Sequence, residues 1–292
     1  MGRAMATSIQ SGSVVLITGA ASGIGAALAR EIARRGAQLV LTDRAADILR
    51  ETSAAIVDAG GRAEAHELDV RDGEAFATLV GDVVRRHGRI DVLFNNAGTA
   101  VGGEARDFTL DDWRYVVDVC LLGVMHGVHA AYGHMIRQGS GHIVNTASMA
   151  GLTPSPMNSV YAAAKHGVVG LSRSLRMEAR LYGVRVSVIC PGVIQTPILI
   201  NAGRYGRVTL DIPLETQRAM WASLRPMNVD LFARRVLADV DRNRAIIIYP
   251  HRWRALWWLD RIARGLSDEL GYRGFRWGRE RILAAARKPT DS

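Results

Sequence analysis

"SVVLITGAASGIGAALAREIARRG", residues 13–36, changes its periodicity half-way along. Residues 13–19 form a short apolar run closed by glycine, the pattern of a strand buried on both faces. Residues 23–36 carry apolar side chains at helical spacing and stop at Gly36, a C-cap candidate. Between them lies a glycine-rich turn, TGAASGIG, from Thr18 to Gly25. Gly19 permits the tight turn, Gly23 lets backbone approach a pyrophosphate, and Gly25 lets helix and strand pack closely. Phosphates would sit at the helix N-terminus, where free N–H groups and the dipole favour anions. Taken alone, the spacing also fits an ordinary turn.

The same alternation runs outward along the chain. Strands are predicted at 37–43, 63–70, 90–98, 141–148, 184–192 and 245–250, and helices at 45–59, 72–87, 110–137, 159–182 and 229–242. Apolar strands alternating with helices predict an α/β fold: a doubly wound parallel sheet with helices on both faces. We expect a single Rossmann-type domain over residues 1–250 and a helical extension over 251–292.

Composition narrows the classes. With 48% hydrophobic and 22% charged residues the chain is ordinary globular material. No run approaches ~18 consecutive apolar residues, so no spanning helix is expected. The N-terminal stretch does not read as a secretory signal. Cys120 and Cys190 make no disulfide framework and no metal-type spacing, which fits a reducing cytoplasm. His126, His129 and His134 lack a carboxylate or thiol to complete a metal set, so no metal is expected. Of the formal charge of +9, residues 251–292 hold +5, ten Lys/Arg against five Asp/Glu. A basic tail on a mildly charged body is not the footprint of a nucleic-acid binder.

Lysine is almost absent: Lys165 and Lys288 stand among 37 basic residues. Lys165 lies four residues after Tyr161 on a predicted helix, so the two share a face. A free tyrosine, pKa ~10, is a weak base at neutral pH. A neighbouring ammonium favours the phenolate, and a downward shift of ~2–3 units is expected. Lysine offers a compact point charge there, whereas arginine's planar fork does not.

Five motifs in register carry a resemblance. They are TGxxxGIG at 18–25, NNAG at 95–98, Ser148 thirteen residues before Tyr161, YxxxK at 161–165 and PGxxxTP at 191–197. Over roughly residues 12–250 the chain resembles the classical short-chain dehydrogenase/reductase family. The resemblance implies a seven-stranded parallel sheet, a nicotinamide cofactor, and hydride transfer at an alcohol or carbonyl carbon. It also implies a homodimer or homotetramer. Ser148, Tyr161 and Lys165 would be catalytic, with Ser148 bonding the substrate oxygen. Gly19, Ser22, Gly23, Ile24 and Gly25 would hold the pyrophosphate side, Asp69 and Val70 the adenine. Asn96 and Gly98 would line the cleft with Ile194, and Thr196 would hold the carboxamide. Asp43, ending the second strand, would accept from ribose hydroxyls and repel a 2′-phosphate. Arg44 could oppose that preference, but Ser22 is neutral, so NAD is expected over NADP.

One position departs from the family. Cys120 stands where relatives carry an asparagine that completes a catalytic tetrad. The expectation is that Cys120 packs as a small apolar residue. The departure keeps a second reading open, an NAD-binding sensor or scaffold with reduced or lost catalysis. Residues 198–227 would form a lid whose Ile198, Leu199, Ile200, Leu214, Met220, Trp221 and Leu224 favour a small hydrophobic alcohol or ketone. In the extension, Ala255, Leu256, Trp258, Leu259, Ile262, Ala263 and Leu266 share one helical arc. Arg254, Asp260, Arg261 and Arg264 lie opposite, with Trp253 and Trp257. Such a helix suits docking on a neighbouring subunit or over the cleft, and equally peripheral contact with a membrane.

Overall fold

Successive side chains of β1 (Val14–Thr18) enter opposite cores in the computed structural model, which describes residues 9–199, 206–209 and 214–286. Val15 and Ile17 are buried with Leu28, Ile32, Phe232 and Val236. Val14 and Leu16 are buried with Phe76, Val80, Ala131 and Met135. This is the period of a strand covered on both sides, and each such large apolar side chain contributes roughly 1.5–3 kcal/mol.

The sheet is built from β1, β2 (Gln38–Asp43), β3 (Arg62–Glu67), β4 (Val92–Asn95), β6 (Gly141–Thr146), β7 (Val184–Pro191) and β9 (Ile246–Tyr249). Every pairing in it is parallel, in the order β3-β2-β1-β4-β6-β7-β9. The chain winds one way from β1 to β3, then crosses back to β4 and continues outward. That reversal opens a crevice at the C-terminal ends of β1 and β4. A separate parallel pair joins β5 (Ala100–Gly102) to β8 (Gly206–Val208) above it. The seven predicted strands are all present; the β5–β8 pair was not foreseen, being only three residues long on each side.

Helices α1 (Gly23–Ala33), α2 (Ala46–Asp58), α3 (Gly73–His87), α4 (Leu110–Val117), α5 (Gly123–Gln138) and α6 (Ser159–Ala179) follow the strands. Local signals set their ends. Asp72 caps α3 through Ala75 N at 2.9 Å, and Gly88 closes it with φ 73°. Thr109 and Asp112 form a capping box on α4. The predicted helix 110–137 is continuous but contains a π-helical turn, Asp118–Leu122, with Cys120 at its centre. The span Leu110–Gln138 is long and apolar enough to cross a membrane by length and composition. Its Ala131 and Met135, however, are buried with strand residues of the sheet. The lid helix α7 (Leu214–Ser223) precedes α8 (Val229–Asp241), which packs on α1 through Arg30–Asp230 and Arg35–Asp241 pairs, each 2.8 Å. The extension folds as two helices, α9 (Trp253–Ile262) and α10 (Arg264–Ala286), broken at Ala263.

Candidate active site

A cleft of about 740 Å³ occupies the crevice at the strand ends. The turn after β1 forms its floor. Gly19 has φ +66°, and a Cβ there would stand 2.8 Å from Ala97 Cα. At Gly25 a Cβ would meet the Gly19 carbonyl oxygen at 2.1 Å, so only glycine lets α1 lie so close to the strand. Gly25 therefore works by packing and does not line the cleft, whereas Gly19, Ser22, Gly23 and Ile24 do. Ser22, the N-cap of α1, makes no side-chain capping bond, which leaves the helix's first N–H groups uncapped by it.

The other predicted cofactor residues gather in the same cleft: Asp43, Arg44, Asp69, Val70, Asn96, Gly98, Ile194 and Thr196. Asp43 is held firmly, one oxygen accepting from Ala21 N at 3.1 Å and the other from Ala45 N at 3.0 Å. Arg44 leans over the Tyr115 ring, 6.0 Å from its centroid. Hydrogen bonds from Arg71, more than any other contact, hold the Asp69 carboxyl below the usual range. Asn96 braces the floor, donating from Nδ2 to the carbonyls of Thr18 (3.1 Å) and Gly19 (3.3 Å). Thr196 donates to Ile194 O at 3.3 Å.

Ser148, Tyr161 and Lys165 meet at the centre. Ser148 follows β6 by two residues in extended backbone, and it lines the cleft together with Tyr161. Lys165 lies one turn beyond Tyr161 on α6, its Nζ 5.5 Å from the tyrosine ring centroid. Lys165 is only 2% exposed, and its Nζ donates to the Thr146 carbonyl at 2.8 Å. A buried charge requires such a partner. Thr146 supplies it through its backbone, which no side-chain motif could announce. Tyr161 differs from expectation. Burial pushes its phenol above the ordinary value, outweighing the downward pull of Lys165 and of nearby Ser148.

Cys120 also differs. It is fully buried, but it does more than fill space. Its sulfur accepts from Thr99 N at 3.3 Å and its thiol donates to Thr99 O at 3.1 Å. Of the predicted lid residues, Ile198, Leu199, Trp221 and Leu224 line the cleft. Leu214 and Met220 are 45% and 40% exposed and do not line it, and Ile200 lies outside the described residues. The extension presents a mixed face to the body rather than the apolar arc. Trp253 and Leu256 line the cleft, and Trp253 and Trp257 pack on a buried cluster under β7 and β9. Asp260, placed opposite the apolar arc, is buried and accepts from Ser267 Oγ at 3.1 Å. Trp258 and Ile262 are instead 53% and 79% exposed.

A family model described as short chain dehydrogenase matches residues 13–204. The chain belongs to this family. Among short-chain dehydrogenase relatives, levodione reductase of Leifsonia aquatica is 41% identical over 192 residues, 65% of this chain and 72% of its own. Trans-4-hydroxycyclohexanecarboxylate dehydrogenase of Sinomonas cyclohexanicum is 39% identical over 211 residues, 70% of this chain and 81% of its own. The crystal structure of a short-chain dehydrogenase/reductase from Burkholderia phymatum in complex with NAD superposes with a TM-score of 0.80 at 31% identity. The match covers 88% of this chain and 95% of that one. As a short-chain dehydrogenase, the protein is an oxidoreductase with a nicotinamide-binding fold. The sequence-level resemblance and the seven-stranded sheet it implied both hold.

Proposed function

We propose that the protein moves a hydride between NAD and a hydrophobic secondary alcohol or ketone, with Tyr161 as the proton acceptor and donor. One observation carries this reading. The Tyr161 phenol stands in the cleft at the sheet's reversal beside Ser148, with the buried Lys165 one helical turn away. The residues present fit a dinucleotide: a glycine floor that a Cβ would fill at Gly19, an α1 N-terminus without a side-chain cap, and a fixed carboxylate at Asp43. The nicotinamide, when bound, accepts or returns the hydride. Ser148 donates to the substrate oxygen and steadies the charge that develops there. Tyr161 takes the hydroxyl proton in oxidation and returns it in reduction. Lys165 favours the phenolate by its charge, held in place by Thr146 O.

NAD is preferred over NADP because Asp43 would face a 2′-phosphate with a like charge, while Arg44 is exposed and lies over Tyr115. The apolar wall of Ile198, Leu199, Trp221 and Leu224 favours a hydrophobic substrate. The ring alcohol in the name of the Sinomonas relative supports an alicyclic one. The test is NADH absorbance with purified protein across secondary alcohols and ketones, cyclic and linear. Turnover that disappears in Tyr161→Phe supports the reading; no turnover across the panel in either direction overturns it.

A further inference from the structure

The cleft has two lips at its substrate end, and the extension touches both. On the lid side, the Arg252 guanidinium at the start of α9 donates to the carbonyls of Leu224 and Arg225, each at 2.6 Å. Those carbonyls follow directly after α7, so Arg252 ties down the C-terminal end of the lid helix. On the opposite side, Arg279 of α10 pairs with Glu104 at 2.7 Å, two residues past β5. The lid strand β8 is itself paired with β5. Between these two ties, Trp253 and Leu256 reach the cleft wall. The Trp253 ring lies flush on the turn after β7: a Cβ on Gly192 would stand 2.3 Å from its Cδ1 and Nε1. The buried Asp260–Ser267 bond spans the break between the two helices.

We propose that the extension is a clasp of the substrate site: Arg252 and Arg279 fasten the lips, and Trp253 and Leu256 form the end wall that limits substrate size. The inference rests on the dehydrogenase reading above and deepens it. The ligand is an uncharged ketone or secondary alcohol whose apolar body, most simply a ring, abuts the indole. The wall lies beyond the matched family region, 13–204. A wall of this kind contributes in two ways. It gives a small ring apolar contact, and it shuts out a larger one. Removing it therefore weakens the small substrate and admits the larger, and both effects move selectivity the same way.

The test has two arms. In the first, wild type, Trp253→Ala, Leu256→Ala and Trp253→Phe are compared on cyclohexanone and 4-phenylcyclohexanone, with NADH affinity measured by fluorescence titration. Expected is a shift in the kcat/KM ratio of at least tenfold toward the larger ketone in Trp253→Ala. The shift is smaller in Leu256→Ala and under threefold in Trp253→Phe, and NADH affinity stays within about threefold throughout. A ratio unchanged within threefold in both alanine variants, with NADH bound normally, overturns the wall. The second arm does not depend on activity. Amide exchange over residues 214–225 should quicken at least fivefold in Arg252→Ala and recover in part in Arg252→Lys, while β1 and β4 stay protected. Unchanged exchange in Arg252→Ala overturns the clasp. A wild type that turns over no ketone at all would instead sink the dehydrogenase reading and leave the exchange arm to judge the clasp.

Discussion

Cys120 and Thr99 exchange two hydrogen bonds, N–H to sulfur at 3.3 Å and thiol to carbonyl at 3.1 Å. One atom thus does what an amide side chain does with two, offering an acceptor and a donor to the same backbone residue. The bonds are weaker, but the pattern that fastens the β4–β5 connection to the π-helical turn survives.

Enzyme activity should therefore tolerate change at this position. Cys120→Ala is expected to cost about 1–2 kcal/mol of stability, from the lost contacts and the small cavity. Its kcat should stay within about threefold of wild type, and Cys120→Asn within about tenfold, roughly 1.4 kcal/mol in barrier. Denaturant midpoints and steady-state kinetics on an accepted ketone would measure both. If Cys120→Asn switches on a protein that is otherwise inert, the sensor reading replaces the enzyme reading.

The pH dependence of oxidation should follow the Tyr161 phenol. Burial holds it above its ordinary value in the protein alone, while Lys165 and Ser148 pull it down. The base form grows as pH rises, so alcohol oxidation should climb toward alkaline pH. Lys165→Met removes the cation, which raises the phenol's pKa further and moves the profile to higher pH. Tyr161→Phe should lose roughly 10²–10⁴-fold in rate, the range of a missing acid–base group. A profile that does not move in Lys165→Met would show that the ammonium acts only on binding.

Cofactor preference should turn on Asp43. NAD is expected to bind at least about tenfold tighter than NADP, about 1.4 kcal/mol. Asp43→Ala should narrow the gap, with Arg44 then free to attract the 2′-phosphate. Because Asp43 also accepts from Ala21 N and Ala45 N, some loss of affinity for both cofactors is expected in the same variant. Calorimetric titration reads both effects; equal affinities in wild type would refute the preference.

Acid stability has an identifiable contributor in His142, which is 1% exposed on β6. Burial first, then the charges of Arg185 and Arg176, bring its imidazole down to about 3. Ser187 Oγ donates to Arg244 O at 2.7 Å, so the His142 Nε2–H must donate to Ser187 Oγ at 2.9 Å. The folded pKa lies below the unfolded value of ~6.5, so the neutral fold is undisturbed above that pH. Below it the unfolded chain takes up the proton first, and stability falls by about 1.4 kcal/mol per pH unit until the folded pKa is reached. Between pH ~6.5 and ~5 this group alone should remove about 2 kcal/mol. Urea unfolding of His142→Leu should show a correspondingly shallower pH dependence, and identical slopes would exclude the assignment.

Self-association is expected through the end of α6, where Met177 is 74% and Leu181 82% exposed, with Tyr182 beside them at 47%. Such an apolar group on a surface marks a contact site. Light scattering should give a dimer or tetramer for wild type and a smaller species for Met177→Glu/Leu181→Glu. A wild-type monomer at micromolar concentration would dispose of this expectation.

Sequence alone determined whatever depends on near neighbours along the chain. The strand–helix order is local periodicity, and the glycine turn is a backbone requirement of consecutive residues. The shared face of Tyr161 and Lys165 follows from helical pitch. Tertiary structure decided what depends on which distant segment lies alongside. Lys165 finds its partner in a carbonyl nineteen positions earlier on another element. Cys120, in the π-helical turn, meets Thr99 on the segment that leads into β5. Periodicity drew two arcs on α9 but could not say which one the body covers. Asp260 could turn inward because Ser267 supplied a donor, and Trp253 because residue 192, without a side chain, left room for an indole. The phenol's direction of shift was hidden for the same reason. A charge four residues away is visible in sequence, but the desolvation that outweighs it is the work of the whole fold.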